Sequence, residues 1–191
     1  MKQYKNRLFF TAFLALLLLV LAACGPSGDA GDGNKDNGGD KTETVLVPGT
    51  DMGIQVNGKW FPIFEDAEGL LAALGDGYNK VESPSCVFEG MDKVFEYPHC
   101  EVYTNPNGEQ DIWYDIVLLD DTLSTSRGIK VGDSVDAVKA AYGEKFYWEG
   151  EEILTYSVSG IEGDIDSDCI QFTIVDDVVK RIEIYHPTNT I

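Results

Sequence analysis

From Val45 onward the apolar positions fall into two kinds of run. Ala67, Leu70, Leu71 and Leu74 recur at steps of three and four between Asp66 and Gly75. Val135, Val138, Ala141 and Tyr142 do the same between Asp133-Ser134 and Gly143. Each predicts a short amphipathic helix with a polar N-cap and a glycine stop. The remaining apolar runs are short and strand-like: Lys93–Tyr97, Cys100–Thr104 and Asp111–Leu119 after the first helix, and Ile153–Val158, Cys169–Val175 and Val178–Tyr185 after the second. Turn-forming residues separate them at Glu89–Asp92, Asn105–Gly108, Glu149–Glu152 and Asp176-Asp177. A further hairpin turns at Asn57-Gly58 within 53–63. Strict alternation puts Ile112, Tyr114, Ile116 and Leu118 on one face and Trp113, Asp115 and Val117 on the other. In the matching strand Val178, Ile182 and Ile184 form the apolar face, and Val179, Arg181, Glu183 and Tyr185 point away.

The two halves repeat at a spacing near 68. The phrase from Asp66 to Gly75 matches that from Ser134 to Gly143, and helix, Glu-Gly turn, cysteine strand and final strand follow in the same order. The predicted class is α+β: two tandem helix-plus-antiparallel-sheet repeats, 45–124 and 125–191, with the helices packed on one face of the sheet.

The chain ahead of Val45 has another character. Lys2, Lys5 and Arg7 precede an apolar run from Leu8 to Val20, shorter than the ~20 residues of a spanning helix. Leu21-Ala-Ala-Cys24-Gly25 follows and resembles the lipobox of bacterial lipoproteins. The resemblance implies removal of 1–23 as a signal peptide and a diacylglycerol thioether on Cys24, with a further acyl chain such as palmitate. More than one chain is what stable anchoring requires. Residues 24–44 are rich in Gly, Asp and Asn, with no large apolar side chain, and predict a disordered tether.

Charge narrows the partners. The chain has 33 acidic and 14 basic residues, net −19; all the acids lie beyond residue 23, where 11 bases remain, so the exported part carries −22. Nucleic acid and anionic lipid surfaces are disfavoured, which leaves lipid on Cys24 as the membrane contact.

Longer phrases carry a second resemblance. Ser85-Cys-Val-Phe-Glu-Gly-Met-Asp-Lys93, Ile116-Val-Leu-Leu-Asp-Asp121 and Thr125-Ser-Arg-Gly-Ile-Lys-Val-Gly-Asp133 look like uncharacterised, clostridial-type surface lipoproteins of Gram-positive bacteria. The Gly-Ile-x-x-Gly-Asp phrase, followed by Val138-Lys-Ala-Ala-Tyr-Gly143, is similar to the repeat of β-lactamase-inhibitor-protein-like domains and of small outer-membrane assembly lipoproteins. That similarity implies protein binding on a sheet surface and transfers no residue-level motif.

Candidate chemistry is sparse. Cys86, Cys100 and Cys169 are disulfide candidates; Cys100–Cys169 and Cys86–Cys100 are both open, as are three free thiols. Neither His99 nor His186 belongs to a metal or triad motif, and no phosphate-binding glycine loop occurs. Asp164, Asp166 and Asp168 have the spacing of the first three ligands of a calcium loop, but Cys169 and Val175 stand where glycine and glutamate are required. The expected face of Trp113, Asp115, Arg181 and Tyr185 has the composition of a binding surface. No cofactor and no enzyme activity is expected. The expectation is a lipid-anchored, extracytoplasmic binding module for a protein partner at the cell membrane. A small solute-binding or envelope-assembly lipoprotein is the alternative, and a hydrolase is disfavoured.

Overall fold

Short apolar runs bounded by turns give many strands here and little helix. The computed structural model describes residues 45–188; the expected signal peptide, Cys24 and the tether lie outside the described residues. In chain order the elements are α1 (Pro48–Asp51), β1 (Gly53–Val56), β2 (Lys59–Pro62), β3 (Glu65–Asp66), α2 (Glu68–Leu74), β4 (Asn79–Pro84), β5 (Met91–Glu96), β6 (Cys100–Asn107) and β7 (Gln110–Leu118). Then come α3 (Val135–Tyr142), β8 (Tyr147–Glu149), β9 (Ile153–Ser157), β10 (Cys169–Val175) and β11 (Val178–Tyr185).

The expected α+β class does not hold. Strand takes 44% of the described residues and helix 13%, so the fold is β-rich. The reason is length. The two amphipathic helices have seven and eight residues, about two turns each, too short to form a layer over a nine-stranded sheet. All of the sheet's pairings are antiparallel, in the order β4-β5-β6-β7-β11-β10-β9-β8, with β3 beside the far end of β7. Two four-stranded meanders thus meet where β7 pairs with β11, with Ile116 opposite Ile184 and Leu118 opposite Ile182.

One face of the sheet supplies Phe95, Val102, Ile116, Leu154, Phe172 and Ile182 to the core, which Leu70 of α2, Tyr142 of α3 and Ile54 and Phe61 of the β1–β2 hairpin complete. Helices α2 and α3 each end in a glycine of positive φ, Gly75 at 89° and Gly143 at 84°, a backbone region that a Cβ disfavours. In both meanders a tyrosine hydroxyl then donates to the glycine's carbonyl: Tyr97 to Gly75 at 3.0 Å and Tyr156 to Gly143 at 2.8 Å.

Ahead of the sheet, α1 is fastened by a buried ion pair. Asp51 accepts from Arg127 Nε at 2.9 Å and Nη2 at 2.6 Å, and also from the Val47 amide and the Ser126 hydroxyl. Burial alone would raise the Asp51 pKa; the hydrogen bonds from Arg127, Val47 and Ser126 together outweigh it and leave it lowered. The guanidinium also donates to the Ala141 and Val45 carbonyls and lies 4.7 Å from the Tyr142 ring centre.

Candidate functional site

The face of the sheet away from the core is set by two matching β-bulges. Between β6 and β7 the pairing steps from Tyr103–Asp115 to Thr104–Trp113, so Tyr114 is extra. Between β10 and β11 it steps from Thr173–Arg181 to Ile174–Val179, so Lys180 is extra. An extra residue reverses the facing of everything beyond it. Trp113 therefore turns inward and is 1% exposed. This corrects the expected outward placement of Trp113, and Val179, expected outward, is buried for the same reason.

The other three expected residues do come together outward. Across β6, β7, β11 and β10 the register runs Tyr103–Asp115–Tyr185–Cys169, with Glu101–Val117–Glu183–Gln171 beside it. Arg181 pairs with Glu183 on the same strand, and Tyr103 donates to Glu101 at 2.7 Å. The Tyr185 ring meets Tyr114 edge-on, with centroids 6.3 Å apart. Tyr103, Arg181 and Tyr185 are half-buried, whereas Asp115 is 7% exposed and its Oδ1 lacks a hydrogen-bond partner. Burial, then the charge and hydrogen bonding of Glu183, push the Asp115 carboxyl up from 3.8 to about 8. Burial also raises Tyr103, with help from Glu101, and Tyr185, with help from Asp115.

The three cysteines among the described residues are free, Cys86 exposed and Cys100 and Cys169 buried. Of the pairings left open, a Cys100–Cys169 bridge does not fit the geometry. Cys100 is opposite Leu118 and joins the core; Cys169 is opposite Tyr185 on the outward side. Two strands, β7 and β11, lie between theirs, a separation of ~14 Å against the ~7 Å limit for a disulfide. Burial pushes both thiols up to about 12, far from the thiolate a nucleophile needs.

The calcium candidates are turned to other tasks. Asp168 Oδ1 lies 2.6 Å from His186 Nδ1, and Asp164 accepts the Asp166 amide at 3.2 Å. Among the described residues no group of three or more acids, histidines and cysteines is placed to hold a metal. Nor is any helix there long and apolar enough to cross a membrane.

Two features escaped the sequence reading. One is the His186–Asp168 pair, whose ring stacks on Phe64 at 4.1 Å. The other is a cavity of about 300 Å³ between β8, β10 and the connection 158–168. The length of that connection was the available signal. In a larger open groove of about 570 Å³ beside α2, Lys93 pairs with Asp111, and Gln110 donates to Asp66. Comparison with known proteins gives no match, whether to a family model, a curated protein or a solved structure.

Proposed function

We propose that this chain is an extracytoplasmic lipoprotein, held to the membrane by lipid on Cys24, that binds a protein partner without catalysis through the outward face of β6, β7 and β11. The observation that carries the binding surface is the half-buried set Tyr103, Arg181 and Tyr185 gathered around Asp115. Tyrosine on a rigid sheet presents contact area at a small entropic cost, and tyrosine and arginine are the usual make-up of interface hot spots. The Leu21–Gly25 phrase and the Gly/Asp-rich stretch after it support the anchor and the tether. The charge of −22 on the exported part favours a partner with a basic surface.

Two arms test this reading. In a lipoprotein-processing host, Cys24→Ala is expected to leave the chain uncleaved and without lipid; normal processing and membrane attachment of that variant would end the anchor reading. Cross-linking in envelope preparations is expected to capture a partner with the parent chain and at least tenfold less with Tyr103→Ala/Arg181→Ala, two positions outside the cavity beneath 158–168. Equal capture by both removes this face as the contact.

A further inference from the structure

The connection between β9 and β10, residues 158–168, is long for an antiparallel pair and closes over the outward side of its own meander. The cavity under it is walled by Tyr147 and Glu149 from β8, Gln171 from β10, Tyr185 from β11, and Asp164 and Ile165 from the connection. Its ~300 Å³ is at the small end of ligand sites, the size for a short chain or one side chain.

The charged groups of that wall have one sign. Glu149 and Asp164 bring two carboxylates, and no lysine, arginine or histidine lines the space. The nearest arginine on β11, Arg181, is engaged with Glu183. Glu149 is aimed: its Oε1 accepts from Thr155 Oγ1 at 2.8 Å and from Gln171 Nε2 at 3.0 Å. Both bonds fall on one oxygen, which leaves Oε2 for another donor. The Asp164 carboxylate takes the Asp166 amide on Oδ1 alone. Two phenol rings and the Ile165 side chain, 80% exposed at the rim, supply apolar surface. The local field agrees. Burial first, and then Glu149 among the charges, raises Tyr147 and Cys169.

We propose that this cavity binds an alkylammonium group, with Glu149 and Asp164 meeting the charge and Tyr147 and Tyr185 flanking the cation and its methylene stem. Carboxylates supply charge-assisted hydrogen bonds, and tyrosine faces attract cations through the ring quadrupole. A free small amine and a lysine side chain borne by a protein share this chemistry. The cavity takes either one whether or not the neighbouring face of β6 and β7 meets a partner.

Calorimetry on the full-length protein at low ionic strength tests the site with three probes: n-butylammonium, the blocked tripeptide Ala-Lys-Ala, and the same tripeptide with its lysine Nε-acetylated. Saturable one-site binding is expected for at least one of the first two and none for the acetylated peptide. Glu149→Gln, which keeps the size and is exposed, is expected to weaken binding at least tenfold, as is Tyr147→Leu. Tyr103→Ala, on the partner face, is expected to leave it unchanged, so the two readings fail separately. Tighter binding of the tripeptide than of the free amine assigns the natural ligand to a protein-borne lysine; the reverse assigns it to a small amine. Equal binding of the acetylated peptide, indifference to Glu149→Gln, or no saturable binding of either amine overturns the proposal.

Discussion

In the first meander β5 reaches β6 through Tyr97, Pro98 and His99 alone; in the second, the same passage from β9 to β10 takes residues 158–168. The reverse holds one connection earlier. The first meander spends residues 85–90 between β4 and β5, where the second turns through 150–152. The parts that hold the sheet on its core do not differ in this way. Tyr97 and Tyr156 make the same bond to a helix-ending glycine, and the bulges at Tyr114 and Lys180 fall at equivalent steps of the ladder. Where stability needs a fixed geometry the halves agree. Where a connection is free to lengthen they diverge, and the cavity beside β8 and β10 lies under one of those divergent connections.

The largest expected effect breaks the equivalence of the bulges. Trp113 and Val179 occupy the same inward step, so both are core residues, but one is far larger. Trp113→Ala is expected to cost about 3–5 kcal/mol and Val179→Ala about 2 kcal/mol in urea unfolding. A Trp113→Ala cost within about 0.5 kcal/mol of zero, as for surface positions, would put the tryptophan outside and remove the bulge from the account.

At the outward step beside those bulges, Asp115 corresponds to Arg181, a buried acid against a half-exposed base. The folded state raises the Asp115 pKa, so its contribution to stability is full below the unfolded value of 3.8. It is lost as pH climbs to about 8, because across that window only the folded chain keeps the proton. Asp115→Asn is expected to remove this loss, on the order of a few kcal/mol, and to flatten the stability–pH curve relative to the parent. Parallel curves for the two proteins from pH 4 to 8 would show that Asp115 ionises freely.

The smallest effect sharpens the likeness instead. Tyr97→Phe and Tyr156→Phe each delete one hydroxyl-to-carbonyl bond and are expected to cost about 1 kcal/mol apiece. Costs that agree within about 0.5 kcal/mol support equivalent roles; a cost confined to one tyrosine makes the resemblance of the halves one of outline only.

Much of the strand order was legible because turn residues and β-branched runs are local signals. Cys169–Val175 and Val178–Tyr185 were read to the residue, and the Asn57-Gly58 hairpin lies where expected. Strand β6 ran three residues past its predicted end, through Pro106; β5 stops pairing with it at Thr104, so beyond that point β6 is an edge on which a missing N–H is tolerated. The class was misjudged because periodicity reports that a helix exists, and two turns of helix do not make a layer. Facing was misjudged beyond each bulge, since strict alternation has no term for an extra residue and a bulge shows only in the partner strand's register. That one omission sent Trp113 to the wrong side. The mismatch of the cysteines has another source, matching by residue type: ladder equivalence pairs Cys100 with Ile170, so Cys169 is one step out and faces the other way. The cavity under 158–168 depends on contacts between residues far apart in the chain, which no local pattern encodes.

The ion pair of Asp51 with Arg127 has a mechanical side. Whatever holds the chain ahead of Val45, a pull on it enters the domain through a four-residue helix that could not bear load by itself. The carboxylate passes that tension to a guanidinium that also grips the Val45 and Ala141 carbonyls and rests on Tyr142, a ring sealed in the core. Force arriving at the N-terminal edge thereby meets α3, whose Tyr142 ring packs against Tyr156 and Phe172 of the second meander.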